Sequence, residues 1–483
     1  MPASAICLAN SGRPATQTGN CQAIAAGGGV ALTGAGTGGL GSAVPLTRRS
    51  ALGLGLGLAV AAASAGCAQP PPRGVWVPRA QSSTSAAPEP PPSGTPSTEP
   101  VPSPSVAAAD SPLSRLLRKY LAPTPENPSH PMYAGAVALA TVNGTVTAQA
   151  AVGDALRYAA GPAELDQARR VPMKLNSVFD TASITKVYTA ILVLQQVDRG
   201  LVDLSAPVAG YLPGFGGPGR SGITVAQLLA HTGALPVGAK VSGLSTLERR
   251  WAAVLSTPLV DGATPGDAFR YSSVGLMVLG KLVEKVTGQG LDRALRTGVT
   301  EPLGLRDTGF LPKTWMSAAD LAARMVASDA RSSRGLLRGV VHDDVANALG
   351  GVAGHAGVFT TAAELAVIGQ LLLDNGSYRG KRLLSETAVR KMVTNTNQGL
   401  PAYDPERPGR PSDHGLGLAV NQPWLMGRLA SAEAFGHSGF TGTSLVVCRR
   451  RKLVLVLLTS RAHPNWSWAN PDPVRVAVAN LFA

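Results

Sequence analysis

Twelve prolines fall in the 35 residues from Pro70 to Pro104, interleaved with Ser, Thr and Glu. Proline fixes φ and removes a backbone donor, so neither a helix nor an interior strand can run through such a stretch. The composition predicts an extended, semi-rigid spacer over 68–110 and leaves two unequal parts on either side of it. The shorter part, 1–67, has no acidic residue, and its Gly-, Ala- and Ser/Thr-rich residues 1–45 cannot bury enough surface to fold alone. The longer part, 111–483, has ample length for a large core.

Within the short part, Thr47-Arg48-Arg49-Ser50 leads directly into a weak apolar run. Paired arginines before such a run resemble a twin-arginine export signal. Ser64-Ala65-Gly66-Cys67 resembles a lipoprotein cleavage site, at which Cys67 would be acylated and become the new N-terminus. Ser64 stands where Leu is usual, so ordinary signal cleavage stays open. The run from Ala51 to Gly66 holds 16 residues, short of the roughly 18–20 that span a bilayer. The expected order is lipid, stalk and globular body, with the body outside the cytoplasmic membrane. If Cys67 is not acylated, the protein would be secreted.

The formal net charge of +14 raises the question of a nucleic-acid partner. Lys and Arg are scattered, however, and no basic run is interleaved with aromatics, so none is expected. Arg449-Arg450-Arg451-Lys452 lies between two apolar runs and reads as a hairpin turn. No CxxC pair or HExxH helix suggests a metal, and the four cysteines are too scattered for a disulfide framework. Cys448 alternates with apolar residues and reads as a small buried hydrophobe.

In the body, a short amphipathic helix is predicted over Leu113 to Leu121, with Ser111 or Ser114 as its cap. Two strands follow, Ala134 to Val142 and Thr145 to Val152, around Asn143-Gly144, a strong hairpin dipeptide. Helices are predicted from Ile184 to Val197, Val225 to Ala230, Val274 to Val286 and Ala362 to Leu373. Strands return at Gly417 to Val420, Thr443 to Cys448 and Leu453 to Thr459, before a closing helix over Pro473 to Phe482. Strands at both ends and helices between predict an α+β fold: one antiparallel sheet formed by both chain ends, flanked by helices, with a mainly helical region inserted.

The chemistry concentrates in three segments. In Asp180-Thr181-Ala182-Ser183-Ile184-Thr185-Lys186, Ser183 sits at a helix start and Lys186 follows three residues later on the same face. Helix-start N–H groups favour negative charge near the serine oxygen. A nearby ammonium lowers the cost of an alkoxide, and a desolvated lysine can accept the serine proton. Of ten lysines, only Lys186 has serine three positions earlier. The second segment, Phe269-Arg270-Tyr271-Ser272-Ser273, puts a phenol and a hydroxyl just before a helix. In the third, Gly436-His437-Ser438-Gly439-Phe440, glycines permit close backbone approach ahead of a strand. An α/β-hydrolase elbow, Gly-x-Ser-x-Gly, fails here because Phe440 occupies its last position.

The joint order of these segments resembles the serine β-lactamase and penicillin-binding-protein-like hydrolases. The similar branch holds class C β-lactamases, D-alanyl-D-alanine carboxypeptidases and esterases. Supporting stretches are His231-Thr232-Gly233 and Gly350-Gly351-Val352-Ala353-Gly354-His355. The resemblance implies attack by Ser183 to form an acyl-enzyme, base work shared by Lys186 and Tyr271, and an oxyanion hole from the backbone N–H groups of Ser183 and Phe440. Ser273, His437, Ser438 and Gly439 would contact substrate, and water would complete hydrolysis without a metal or organic cofactor. Ser273 replaces a common Asn and His437 a common Lys. A fixed cation for a substrate carboxylate is therefore missing near neutral pH. Esters and small uncharged amides or peptides are expected ahead of true β-lactamase or D-alanyl-D-alanine carboxypeptidase substrates. The expected partner is a small-molecule ester, peptide or β-lactam-like substrate, and a monomer is expected. The reading from another class is a silent cell-wall-binding lipoprotein, although a pure binder needs no activated nucleophile. His231 and His355 read as structural, and His342-Asp343-Asp344 as a loop shaping the cleft.

Overall fold

The computed structural model describes residues 110–483. The expectations for the export signal, Cys67 and most of the proline-rich spacer lie outside that range. The body is built on a seven-stranded sheet of β1 (Gly135–Val142), β2 (Thr145–Leu156), β3 (Val171–Pro172), β4 (Ala419–Val420), β5 (Ala434–Ser438), β6 (Ser444–Cys448) and β7 (Leu453–Thr459). Their order is β4-β5-β6-β7-β1-β2-β3, with antiparallel pairing throughout. The two chain ends meet in mid-sheet, where Ala136 pairs with Thr459 and Val142 with Leu453. This is the α+β architecture expected from the sequence.

Local chemistry explains the turns. Asn143 (φ 51°) and Gly144 (φ 76°) both take the left-handed conformation that a two-residue hairpin turn demands. At the other hairpin, Arg449–Arg451 form one 3-10 turn and Lys452 (φ 49°) closes it. The expected strand over Gly417–Val420 shortens to Ala419–Val420. Gly417 has φ +89°, and a Cβ there would stand 2.4 Å from the Ala190 methyl carbon, so the chain turns against a helix instead of pairing. Strand β3 escaped sequence reading because it has two residues, one a proline, which only a sheet edge tolerates.

Successive strand residues face two different cores. Val137, Leu139, Val454, Val456 and Leu458 join the larger one. Ala136, Ala138, Ala140, Leu453, Leu455 and Leu457 join the smaller one. With both faces covered, these strands read as continuous apolar runs. The smaller core is closed by α1 (Pro112–Lys119) and by the final helix, Asp472–Leu481, through Leu113, Leu117, Val474 and Val478. Ser111 is the cap of α1, its Oγ accepting the Ser114 N–H at 3.1 Å. Cys448 is fully buried in this layer.

The larger core holds α2 (Thr185–Asp198), α3 (Ser273–Thr287), a one-turn α4 (Asp344–Ala348) and α5 (Ala362–Leu373). Every residue of α2 from Thr185 to Gln196 is buried. A helix enclosed on all sides needs no polar face. The nucleophile segment is thereby anchored to the most deeply enclosed element of the body. The final helix is α6 (Asp472–Leu481).

Candidate active site

Ser183 lies in a single 3-10 turn, Ala182–Ile184, that runs straight into α2. The turn is strained: Ala182 has φ 48°, a conformation a side-chain-bearing residue rarely takes. Asp180 holds it. One carboxylate oxygen accepts the Ala182 N–H at 2.8 Å and the other the His342 N–H at 2.7 Å. Burial pushes this carboxyl up from its ordinary range. Thr181 Oγ1 adds a bond to the Val358 carbonyl at 2.6 Å. The resulting sharp bend leaves Ser183 half-buried, with its amide in a helix first turn, where N–H groups lack intrahelical acceptors.

The sequence spacing of Ser183 and Lys186 becomes contact. Lys186 Nζ donates to Ser183 Oγ at 2.9 Å and to the His355 carbonyl at 3.1 Å. Its side chain is fully buried and, among the described residues, makes no ion pair. It also stands 5.0 Å from the centre of the Tyr271 ring. Ser183, Lys186 and the Tyr271 ring are therefore neighbours, while among the described residues no hydrogen bond joins the Tyr271 hydroxyl to either of the other two.

Supports behind them are built from polar residues. Ser272 caps α3: its Oγ accepts the Gly275 N–H at 3.2 Å and donates to the Pro236 carbonyl at 2.7 Å. The Ser272 N–H donates to His231 Nδ1 at 3.1 Å. His231 is thus an acceptor at Nδ1, and burial keeps its pKa well below the ordinary value. Its ring lies 4.8 Å from that of Tyr271, so it fixes the second segment without joining the chemistry. His355 Nε2 lies 3.0 Å from Asp343 Oδ1. Asp343 also caps α4 through the Ala346 N–H at 2.7 Å. Burial would raise the Asp343 carboxyl, but His355 brings it well below its usual range. The His342–Asp344 stretch thus braces the carbonyl that receives Lys186. Among the described residues, no group of His, Cys, Asp and Glu is arranged to hold a metal ion.

The third segment docks onto the nucleophile turn. Thr441 Oγ1 donates to the Asp180 carbonyl at 2.7 Å and Thr443 Oγ1 to the Thr181 carbonyl at 3.0 Å. Gly439 packs so tightly that a Cβ would stand 2.2 Å from the Thr181 oxygen and 2.2 Å from Thr443 Oγ1. Buried Arg475, from α6, donates to the Gly439 carbonyl at 2.8 Å and the Thr443 carbonyl at 3.1 Å, and to Asp472 at 2.7 Å. Arg461 donates to the Phe440 carbonyl at 2.9 Å. Both flanking carbonyls are therefore fixed, while the Phe440 N–H has no acceptor among the described residues. His437 Nδ1 bonds the Ser438 carbonyl at 2.8 Å. Burial, reinforced by Lys186, keeps its pKa well down, so this position carries no charge near neutrality.

Ser273 and Ser438 border these groups but make no hydrogen bond to Ser183 or Lys186. Ser273 instead opens α3, its N–H donating to the Val237 carbonyl at 2.9 Å. Sequence reading missed Asp180, Thr441, Thr443 and Arg475. Asp180 opens the first segment and Thr441 and Thr443 lie within three residues of the third, whereas Arg475 comes from the distant last helix.

A strained turn presenting a serine to a buried lysine, on a sheet closed by both chain ends, is the arrangement of a serine-hydrolase framework. The Beta-lactamase family model matches residues 114–480, and the chain belongs to this family of serine hydrolases. It is 31% identical over 358 residues to an N-acetylmuramyl-L-alanine amidase of Bacillus subtilis (strain 168), covering 68% of this chain and 78% of the relative. A proposed D-alanyl-D-alanine carboxypeptidase of Escherichia coli (strain K12) is 31% identical over 320 residues, covering 59% and 70%. Among solved structures, the fold is shared with a penicillin-binding protein homologue from Caulobacter crescentus (TM-score 0.56, 19% identity, 77% of this chain and 96% of that one). It is also shared with EstCE1, a hydrolase with promiscuous acyltransferase activity (TM-score 0.56, 21% identity, 76% and 97%).

Proposed function

We propose that the protein is an exported serine hydrolase that forms an acyl-enzyme on Ser183 and cleaves esters or small uncharged amides. The observation that carries this reading is the 2.9 Å bond from buried Lys186 Nζ to Ser183 Oγ. A substrate carbonyl at Ser183 would be attacked by Oγ as its proton passes to Lys186, with Tyr271 alongside to relay it to the leaving group. The oxyanion would be received by the Ser183 and Phe440 amides. Water would then cleave the ester bond to Ser183, returning the proton through the same groups. Uncharged His437 and short Ser273 favour substrates without a carboxylate beside the scissile bond. A second reading, cleavage of cell-wall peptide amides, is favoured by the two relatives named as an amidase and a carboxypeptidase. Export, with lipid on Cys67, rests on the paired arginines and the small residues before that cysteine.

The test is intact mass of the purified protein after incubation with a fluorophosphonate, p-nitrophenyl esters or a penicillin, with Ser183→Ala as control. One adduct, absent from the control, is expected. A folded protein that takes no adduct from any reagent would overturn the reading in favour of a silent binding protein.

A further inference from the structure

Ten large apolar side chains are well exposed among the described residues, and four of them border the segments around Ser183. Exposed apolar residues scattered singly need no explanation. Phe440 (39% exposed) and Trp466 (37%) are not scattered: their ring centres are 5.5 Å apart with planes at 56°. The amide of Phe440 is the oxyanion donor proposed above, so this aromatic surface begins beside the reacting carbonyl. It is also held rigid. The Arg461 guanidinium lies 4.8 Å from the Phe440 ring centre while bonding the Phe440 and Ala469 carbonyls. Arg331 lies 5.8 Å from the Trp466 ring centre and is bound to buried Asp329 at 2.6 Å.

Next to the Tyr271 segment stand the other two. Val237 (57% exposed) receives the Ser273 N–H on its carbonyl. Tyr403 (52% exposed) pairs with Arg270, whose guanidinium stacks 4.0 Å from its ring centre. Arg331 is paired with the Asp329 carboxylate, whereas Arg461 is bonded only to the Phe440 and Ala469 carbonyls and keeps its charge behind the Phe440 ring. Fixed aromatic faces bind flat or branched apolar groups at little entropic cost.

We infer that Phe440 and Trp466 form a subsite for an aromatic or branched apolar group carried next to the scissile carbonyl. This makes esters and amides of arylacetic-type acids the preferred class. The inference rests on the Ser183 reading for the subsite's place beside the reacting carbonyl, and its binding arm is read separately from turnover.

The experiment compares p-nitrophenyl phenylacetate with p-nitrophenyl acetate, rates being corrected for hydroxide-catalysed hydrolysis. The parent is expected to prefer phenylacetate in kcat/KM by about threefold to tenfold, the range of one aromatic contact. Trp466→Ala should bring the ratio near unity by lowering kcat/KM for phenylacetate, and Trp466→Phe should restore part of it. Equilibrium binding of the same esters to Ser183→Ala protein should show the same preference without turnover. No preference in either assay, or one that survives Trp466→Ala, overturns the inference. Absent turnover with the binding preference intact would overturn the Ser183 reading alone.

Discussion

Replacing Gly439 by alanine tests how closely the third segment must approach the nucleophile turn. The new Cβ would stand 2.2 Å from the Thr181 carbonyl oxygen and 2.2 Å from Thr443 Oγ1. Neither neighbour can give way freely. Thr181 is tied through its own Oγ1 to Val358, and Thr443 Oγ1 is already spent on the Thr181 oxygen. Relief to an ordinary contact needs about 1 Å of separation between the Ser183 turn and the Phe440 loop. Overpacking of this kind costs about 1–3 kcal/mol of stability, small for a body this size. Displacement of a reacting group by about 1 Å costs roughly 100-fold in rate, and loss of one oxyanion donor about 10²–10³-fold. Gly439→Ala should therefore remain folded by circular dichroism, melt a few degrees lower, and lose about 100-fold in kcat/KM for p-nitrophenyl esters. Fluorophosphonate labelling should slow in parallel. Activity within about threefold of the parent would refute the argument that this contact sets the oxyanion geometry.

Three further outcomes follow from other contacts. Lys186→Met should abolish ester turnover while leaving the melting temperature equal or higher, because it removes a buried charge that has no ion pair; a large drop in melting temperature would contradict this. Arg475→Met strips one charged donor from each of the Gly439 and Thr443 carbonyls, which keep the Gly442 and Gly439 N–H groups, at about 1.5–3 kcal/mol for each charged hydrogen bond lost, and should lower both the urea midpoint and kcat/KM; an unchanged midpoint would argue against it. Stability should also fall in acid. Burial pushes His414 and His463 down to about 3, against roughly 6.5 unfolded. Between those values the unfolded chain binds more protons, so stability present above pH 6.5 is lost as pH falls toward 3. Urea midpoints at pH 7.5 and pH 5 read this directly, and equal values would refute it.

Much of the site was legible because its chemistry is local. Ser183 and Lys186 share one helical turn, and Asn143-Gly144 carries its backbone geometry in two residues. The uncharged state of the third segment was also foreseeable from His437 standing in place of a lysine. What sequence could not supply is long-range support. Arg475 reaches the Gly439 carbonyl from a helix 36 residues away, and nothing in its own neighbourhood marks it. Asp180 looks like any acidic residue until its two oxygens are seen bridging Ala182 and His342. Gly417 reads as part of a strand, and only the Ala190 methyl group beside it explains why the chain turns there instead.

The pairing of β1 with β7 has a consequence for how the chain comes into being. Ala136 waits for Thr459, so the middle of the sheet stays open until nearly the whole body has left the ribosome. Until then β1 is an unpaired edge, with Val137 and Leu139 on one face and alanines on the other, the kind of strand that recruits neighbouring chains. Closing so long a loop is also slow. A nascent or C-terminally clipped chain should therefore behave as an aggregation-prone intermediate and not as a smaller enzyme. Loss of only the last thirty or so residues would remove β7, Arg475 and the oxyanion loop's support together.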